Sequence, residues 1–358
     1  MDNNQNQRKI YIDFIKIIAI FMVLFNHTNT DGFGLFTVAG QSVLYPFYLG
    51  IAILIKAAVP LFFLCTGALL LNKEEPYKVI LKKRLLRFLI VLLIGSLINY
   101  FYQGFYLKQF DMSISDFIVR IYSGNIVGSY WYLYAFLAYI LMLPFIRILA
   151  RHMRTKDFQY LVLFYLFYRS LDIAEGLIWN GNVTTNESWI VFGTLNYVFY
   201  SLMGYYIDQR LRESDFTKKN VCILLVASII SIVIVMLATT YLCYSNGDWA
   251  LGAKHAEMFF NTLIFIPAIS IFFTARYYFS KHMLCKSVQN IIAQLAGTTF
   301  GIYLIEEILR TETYKIYQYL CPYFHSFLSC CIWILTACIC GSILTWILKK
   351  IPIVRKYI

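Results

Sequence analysis

The chain has 358 residues and a formal net charge of +12, from 31 Lys and Arg against 19 Asp and Glu. It is 60% hydrophobic and only 14% charged, with a mean hydropathy of +0.64. A soluble domain carries about 25% charged residues, so this composition excludes an ordinary soluble enzyme and places the chain in a bilayer.

The N-terminal MDNNQNQRK is polar, the apolar run after it is long, and no small-residue cleavage site follows closely. That run is expected to persist as a membrane helix and not to leave as a signal peptide. At about 20 residues per span, the apolar stretches predict ten membrane helices, near 10–28, 47–71, 85–105, 129–149, 158–178, 189–208, 221–244, 256–279, 290–310 and 326–348. Aromatic residues, 18% of the chain, suit interfacial belts in lipid. The expected fold class is all-α: one polytopic membrane domain over 1–358, with no appended soluble domain.

The first run, IYIDFIKIIAIFMVLFNHT, carries Asp13, Lys16 and His27. Lys16 and His27 are eleven positions apart, which puts both on one helical face, about 16 Å apart along the axis. An ionisable group near the centre of a membrane costs about 3 kcal/mol or more, so such groups usually face a protein interior or a wet cavity. The bland alternative is that Asp13 and Lys16 snorkel to one interface and His27 to the other. The second span contains Pro60, which predicts a kink or break. The fifth holds Arg169, Asp172 and Glu175 as a polar stripe, and Arg169 with Asp172 reads equally well as a structural ion pair.

Charge sets the expected orientation. The segments on the N-terminal side of the membrane hold 23 of the 31 basic residues, and the opposite side only Lys108, Arg120, Lys254, Arg310 and Lys315. The positive-inside rule then puts both termini in the cytoplasm. A basic cytoplasmic face on anionic lipid explains the net charge without nucleic acid. Nine cysteines form no CxxC pair backed by histidine, so no metal is expected. No glycine-rich loop of the nucleotide-binding type precedes a suitable helix.

In this orientation His27, Glu306, Glu307, Lys56, Asp172, Glu175 and Trp131 all fall toward the outer side. A histidine with a carboxylate at one depth can act as a base and its orienter if their helices are neighbours. Glu307 reads more simply as an interfacial carboxylate beside Arg310, and Glu306 as the interior group. On the inner side, KVILKKRLLRFLIV brings together Lys82, Lys83, Arg84 and Arg87. This cluster is either ordinary positive-inside charge or a site for a phosphorylated cytosolic ligand.

The segment YIDFIKIIAIFMVLFNHT resembles the first helix of the acyltransferase family 3 membrane proteins, whose pattern is Arg, ten residues, His. Lys16 and His27 occupy those positions. VPLFFLCTGALLL is similar to the family's FF-x-x-SG segment, with Thr66 for Ser. KKRLLR resembles its basic cluster, SYWYLYAFLAYILMLPFI its fourth helix, and FGIYLIEEIL its late FGIYLIH-like helix. Lys16 replaces the usual Arg, and Glu306 stands where many members have His. The resemblance implies transfer of an acyl group, commonly acetyl, from a cytosolic acyl-CoA to a hydroxyl on an extracytoplasmic sugar or envelope molecule. It implies His27 as the catalytic residue, with Lys16, Lys83, Arg84 and Arg87 serving the CoA side.

The expected mechanism is general-base catalysis by His27, with Glu306, or failing that Glu175, orienting the imidazole. A covalent acyl-histidine remains an open alternative. Asn26, Trp131, Asp172 and Glu175 are the candidate contacts for the acceptor. The expected partners are acyl-CoA, a glycan or envelope acceptor and membrane lipid, in a bacterial plasma membrane. Two other classes stay open: a transporter or flippase for a sugar or lipid-linked substrate, and a non-catalytic membrane sensor. Acceptor identity, acyl length and oligomeric state are not legible in the sequence.

Overall fold

The structure is a computed structural model that describes residues 8–40, 42–179, 196–245, 247 and 259–357. Among these residues every regular element is helical. In lipid a backbone can satisfy its own N–H and C=O groups only as a helix or a closed barrel, and long apolar runs choose the helix. In chain order the helices are α1 (Ile10–Asn26), α2 (Leu35–Ala39), α3 (Tyr45–Ile55), α4 (Ala58–Leu70) and α5 (Tyr77–Tyr106). Then come α6 (Ile114–Ser123), α7 (Trp131–His152), α8 (Thr155–Trp179), α9 (Asn196–Tyr205), α10 (Lys218–Ser245) and α11 (Phe265–Lys281). The last four are α12 (Lys286–Leu304), α13 (Glu306–Leu320), α14 (Ser326–Leu348) and α15 (Pro352–Tyr357).

Each of the ten apolar stretches contains helix. Five helical segments are long and apolar enough to cross a membrane: Tyr45–Leu70, α5, Gly128–His152, α10 and α14. A sixth is added if α12 and α13, bent by 95° from each other, count as one span. α1 has 17 residues and carries Asp13 and Lys16 within them. The predicted spans at 189–208 and 256–279 fall partly outside the described residues.

The chain divides into two compact units, Met1–Asn72 with Leu149–Ala296, and Lys73–Ile148 with Gly297–Ile358. In the first unit α4 is the centre, packed on α1, α9 and α11. Its crossing with α9 is a backbone-on-backbone contact made possible by two glycines. A Cβ on Gly67 would lie 1.8 Å from the Ser201 carbonyl oxygen, and one on Gly204 would lie 2.0 Å from that of Leu64. Small residues let membrane helices approach this closely, and close approach is the main source of packing energy in lipid. The expected break near Pro60 occurs at Lys56 and Ala57, between α3 and α4. Proline lacks an N–H for the carbonyl four residues back, which is that of Lys56. α10 packs on α3 and α11, but only 28% of its most apolar stretch is covered by protein. Ile229, Ile230 and Leu237 are among the side chains left outside, on a surface suited to lipid.

In the second unit α13 packs on α14, and α15 lies against α5. α6 is short and amphipathic. Ser113 caps its first turn by accepting from Asp116 N, and Gly124 ends it in the left-handed conformation. Its apolar residues Ile114, Ile118 and Tyr122 are exposed, as in a helix lying at a membrane interface.

Candidate active site

In the first unit the polar residues of α1 sit at its two ends. Asp13 is buried, accepts from Arg8 Nε, and lies 3.6 Å from Lys16 Nζ. The Lys16 side chain is 28% exposed. The helix stops at Asn26, earlier than the predicted end at 28, so His27 is its C-cap and not a helical residue. The His27 N–H donates to the Leu24 carbonyl at 3.2 Å. The next residue explains the stop. Thr28 is buried, its hydroxyl donates to the Phe25 carbonyl at 2.7 Å, and the same oxygen accepts from the Phe33 N–H at 2.8 Å. The threonine therefore ties both sides of the turn together, and the half-buried His27 sits at the start of that turn. The buried Oδ1 of Asn26 accepts no hydrogen bond.

Lys56, at the break between α3 and α4, lies 4.5 Å from the ring centroid of Phe33. The cation rests on the aromatic group that closes the turn after His27. Phe33 packs in turn on Phe36 and Phe260.

Asp172 is engaged by Arg169 Nη1 at 3.0 Å. Arg169 also donates to Asn196 Oδ1 and to the Tyr165 hydroxyl. Arg169 and Asp172 form an ion pair, and the arginine joins α8 to the start of α9. Glu175 is half-buried on the same helix.

The expected span over 290–310 is broken at Ile305, in the second unit. The break frees the carbonyl of Leu304, which accepts from the Tyr130 hydroxyl at 2.6 Å and from Asn99 Nδ2 at 3.1 Å. Glu306 then opens α13 with its side chain buried, and Arg310 Nε donates to its Oε2 at 2.7 Å. Two acids in a first helical turn complement the helix dipole, which helps the new helix to start there. Glu307 accepts from Gln103 Nε2 at 3.0 Å. Trp131 is 45% exposed, whereas its neighbour Tyr130 is 1% exposed and makes the contact to the break. Asn99, Gln103 and Tyr130 were not singled out in the sequence. The only signal was their polarity within or beside apolar runs.

Of the basic cluster, Lys82, Lys83 and Arg84 lie on a π-helical segment, Ile80–Leu85, near the start of α5, and Arg87 follows it. Glu75 receives Arg84 through two bonds, Nε to Oε2 at 2.9 Å and Nη2 to Oε1 at 2.6 Å. Arg147, 5% exposed, adds a third from Nη2 at 2.8 Å. The Arg84 hydrogen bonds first, then those of Arg147, pull the Glu75 carboxyl down to about 2 against the opposing effect of burial. Arg87 Nε donates to the Tyr357 carbonyl at 3.1 Å, and Lys82 and Lys83 are exposed. A phosphate arriving at Arg84 would have to compete with Glu75.

Among the described residues, no group of three or more His, Cys, Asp or Glu side chains is placed to hold a metal ion. His27, Lys16, Asn26, Asp172 and Glu175 belong to the first unit; Glu306, Trp131, Lys83, Arg84 and Arg87 belong to the second. Chemically, the first unit offers an imidazole in a fixed turn, and the second a buried carboxylate at a helix start with an arginine partner.

No curated protein and no solved structure matches the chain. A family model described as an acyltransferase domain matches residues 9–348, nearly the whole length, and takes in both units. With the all-helical fold and its apolar spans, this match identifies the chain as a membrane acyltransferase belonging to acyltransferase family 3.

Proposed function

We propose that the protein moves an acyl group, acetyl in the simplest case, from cytosolic acyl-CoA to a hydroxyl of an extracytoplasmic carbohydrate or other envelope molecule. It would do so as a ten-span protein of a bacterial plasma membrane with both termini inside. The observation that carries this reading is the family match over residues 9–348. The turn that holds His27 at the end of α1 supports it, because a general base must be held still.

In this mechanism His27 removes the proton of the acceptor hydroxyl. The hydroxyl oxygen bonds to the thioester carbonyl carbon, the carbon–sulfur bond breaks, and the leaving thiolate takes up the proton that His27 had removed. Lys16 serves the donor side of the same helix.

The test is acetyl transfer from labelled acetyl-CoA to envelope material in membranes carrying parent or His27→Ala protein at matched levels. General-base catalysis supplies about 10²–10⁴-fold in rate, so transfer should fall to near background while acetyl-CoA binding persists. Near-normal transfer by His27→Ala would remove the proposed chemistry. A transport reading draws on one observation, the 95° break between α12 and α13, since transporters place substrate at discontinuous helices. Labelled acceptor crossing the membrane unmodified would favour it.

A further inference from the structure

A cavity of about 380 Å³ opens in the first unit beside the N-terminal end of α1. Arg8, Lys9 and Arg276 line it together with Asp208, His282 and Gln289, and Phe279 forms an aromatic wall. In the sequence these cations counted only as positive-inside charge.

The cavity is organised by one buried carboxylate. The Asp208 side chain is 2% exposed and receives Lys9 Nζ, the Tyr11 hydroxyl and Gln209 Nε2, with Arg276 Nε 4.0 Å from its Oδ1. It holds Lys9 and lies beside Arg276, and three basic side chains line the cavity with this one acid. Arg8 is held instead by the buried Asp13 and by the Ala293 carbonyl, and the second acid on Arg276 is a weak competitor. Arg276 Nη2 donates to Glu213, but that side chain is 64% exposed, and exposed ion pairs are largely screened by water and salt. The Nε–H of Arg276 is buried and has no hydrogen-bond acceptor. A buried donor without an acceptor is costly, and an incoming anionic oxygen would relieve it. Arg8 is 55% exposed, so part of its guanidinium remains available.

Volume narrows the ligand. Small-molecule sites run from about 300 to 1,000 Å³. A lone phosphate would leave most of this cavity empty, whereas a phosphorylated nucleoside matches it, with phosphate oxygens on the arginines and a base against Phe279.

We propose that this cavity, and not the Arg84 cluster already held by Glu75, binds the adenosine-bisphosphate end of the acyl donor, with its phosphates on Arg8, Lys9 and Arg276. The proposal rests on the acyl-CoA reading above. Anionic lipid headgroups share the phosphate chemistry but lack the aromatic base.

The full chain in phosphatidylcholine nanodiscs, titrated calorimetrically with adenosine 3′,5′-bisphosphate, tests it. The parent should show saturable binding, and R8Q and R276Q should each weaken it at least about tenfold, as expected for loss of a charge-assisted contact. K315Q, a charge control far along the chain, should match the parent. Arg8 is half-exposed near the chain start, so R8Q decides the matter if R276Q unfolds. Loss of binding in R87Q, with parent affinity in R8Q and R276Q, would overturn the cavity assignment while leaving the acyl-CoA reading intact. Phosphatidylglycerol that copurifies with the parent but not with R276Q, and that blocks the nucleotide when added to the discs, would assign the cavity to lipid and overturn the proposal. Absence of saturable binding to the parent in any disc would sink both this proposal and the donor reading.

Discussion

The Tyr130 hydroxyl donates a 2.6 Å hydrogen bond to the carbonyl of Leu304, the last residue of α12 before the chain turns into α13. A helix broken within an apolar environment leaves carbonyls that no water can satisfy, so the break persists only if side chains replace the lost partners. Tyr130→Phe removes one of the two donors to Leu304 and leaves Asn99. The variant should lose about 0.5–1.5 kcal/mol and melt earlier than the parent in detergent. Adding Asn99→Ala should cost more than the two single losses predict, because only the double variant strands the carbonyl. Strict additivity in thermal unfolding would show that the break is held by something else.

The crossing of α4 and α9 offers a packing test with its own control. An added Cβ at Gly67 would meet a backbone oxygen at 1.8 Å, and neither helix can move without disturbing its neighbours. Gly67→Ala should therefore destabilise by about 1–3 kcal/mol or more. Gly50, in α3, has only Met236 Sδ at 3.7 Å from the same added atom. Gly50→Ala should be neutral or slightly stabilising, since alanine is the better helix former. Equal melting temperatures for the two variants would contradict the close crossing.

Helical class and the placement of apolar stretches were legible in the sequence because lipid allows few alternatives. The break near Pro60 was legible too, since proline acts locally. The break at Ile305 was not, because no glycine or proline marks residues 304–306 and its cause lies in Asn99 and Tyr130, some 170 to 200 residues away in the chain. The end of α1 at Asn26 depends on a single threonine hydroxyl bonding in both directions, which residue type alone does not reveal. The cationic cavity was missed for a similar reason. Arg8, Lys9 and Arg276 are dispersed topology charges in the sequence, and only the fold brings them to one cavity around Asp208.

Glu75 makes a pH test possible outside the spans. Its carboxyl is depressed to about 2 in the folded state, from an ordinary value near 4.5. A depressed acid contributes stability that is fully present above the unfolded value and is lost as pH falls through the folded one. The parent should therefore weaken between about pH 4.5 and 2. Glu75→Gln leaves the buried Arg147 without its carboxylate, so it should be less stable than the parent at pH 7. The gap should close as the pH is lowered through that window. A gap that stays constant down to pH 2 would mean that the Arg84 and Arg147 bonds contribute no net stability.

The topology follows from charge and can be checked directly. The segment between α4 and α5 carries Lys73 and precedes Lys82, Lys83, Arg84 and Arg87, whereas the segment between α5 and α6 carries Lys108 with the exposed Asp111. A basic segment is held on the cytoplasmic side by the cost of moving its charges across. In a background lacking the exposed Cys222, Cys285 and Cys340, a cysteine at Asp111 should react with a membrane-impermeant maleimide in intact cells. A cysteine at Lys73 should react only after the membrane is opened. The reverse pattern would place both termini outside and would put His27 on the acyl-CoA side of the bilayer. His27 could then no longer receive an acceptor hydroxyl from beyond the membrane, and the proposed division of donor and acceptor between the two faces would fail with it.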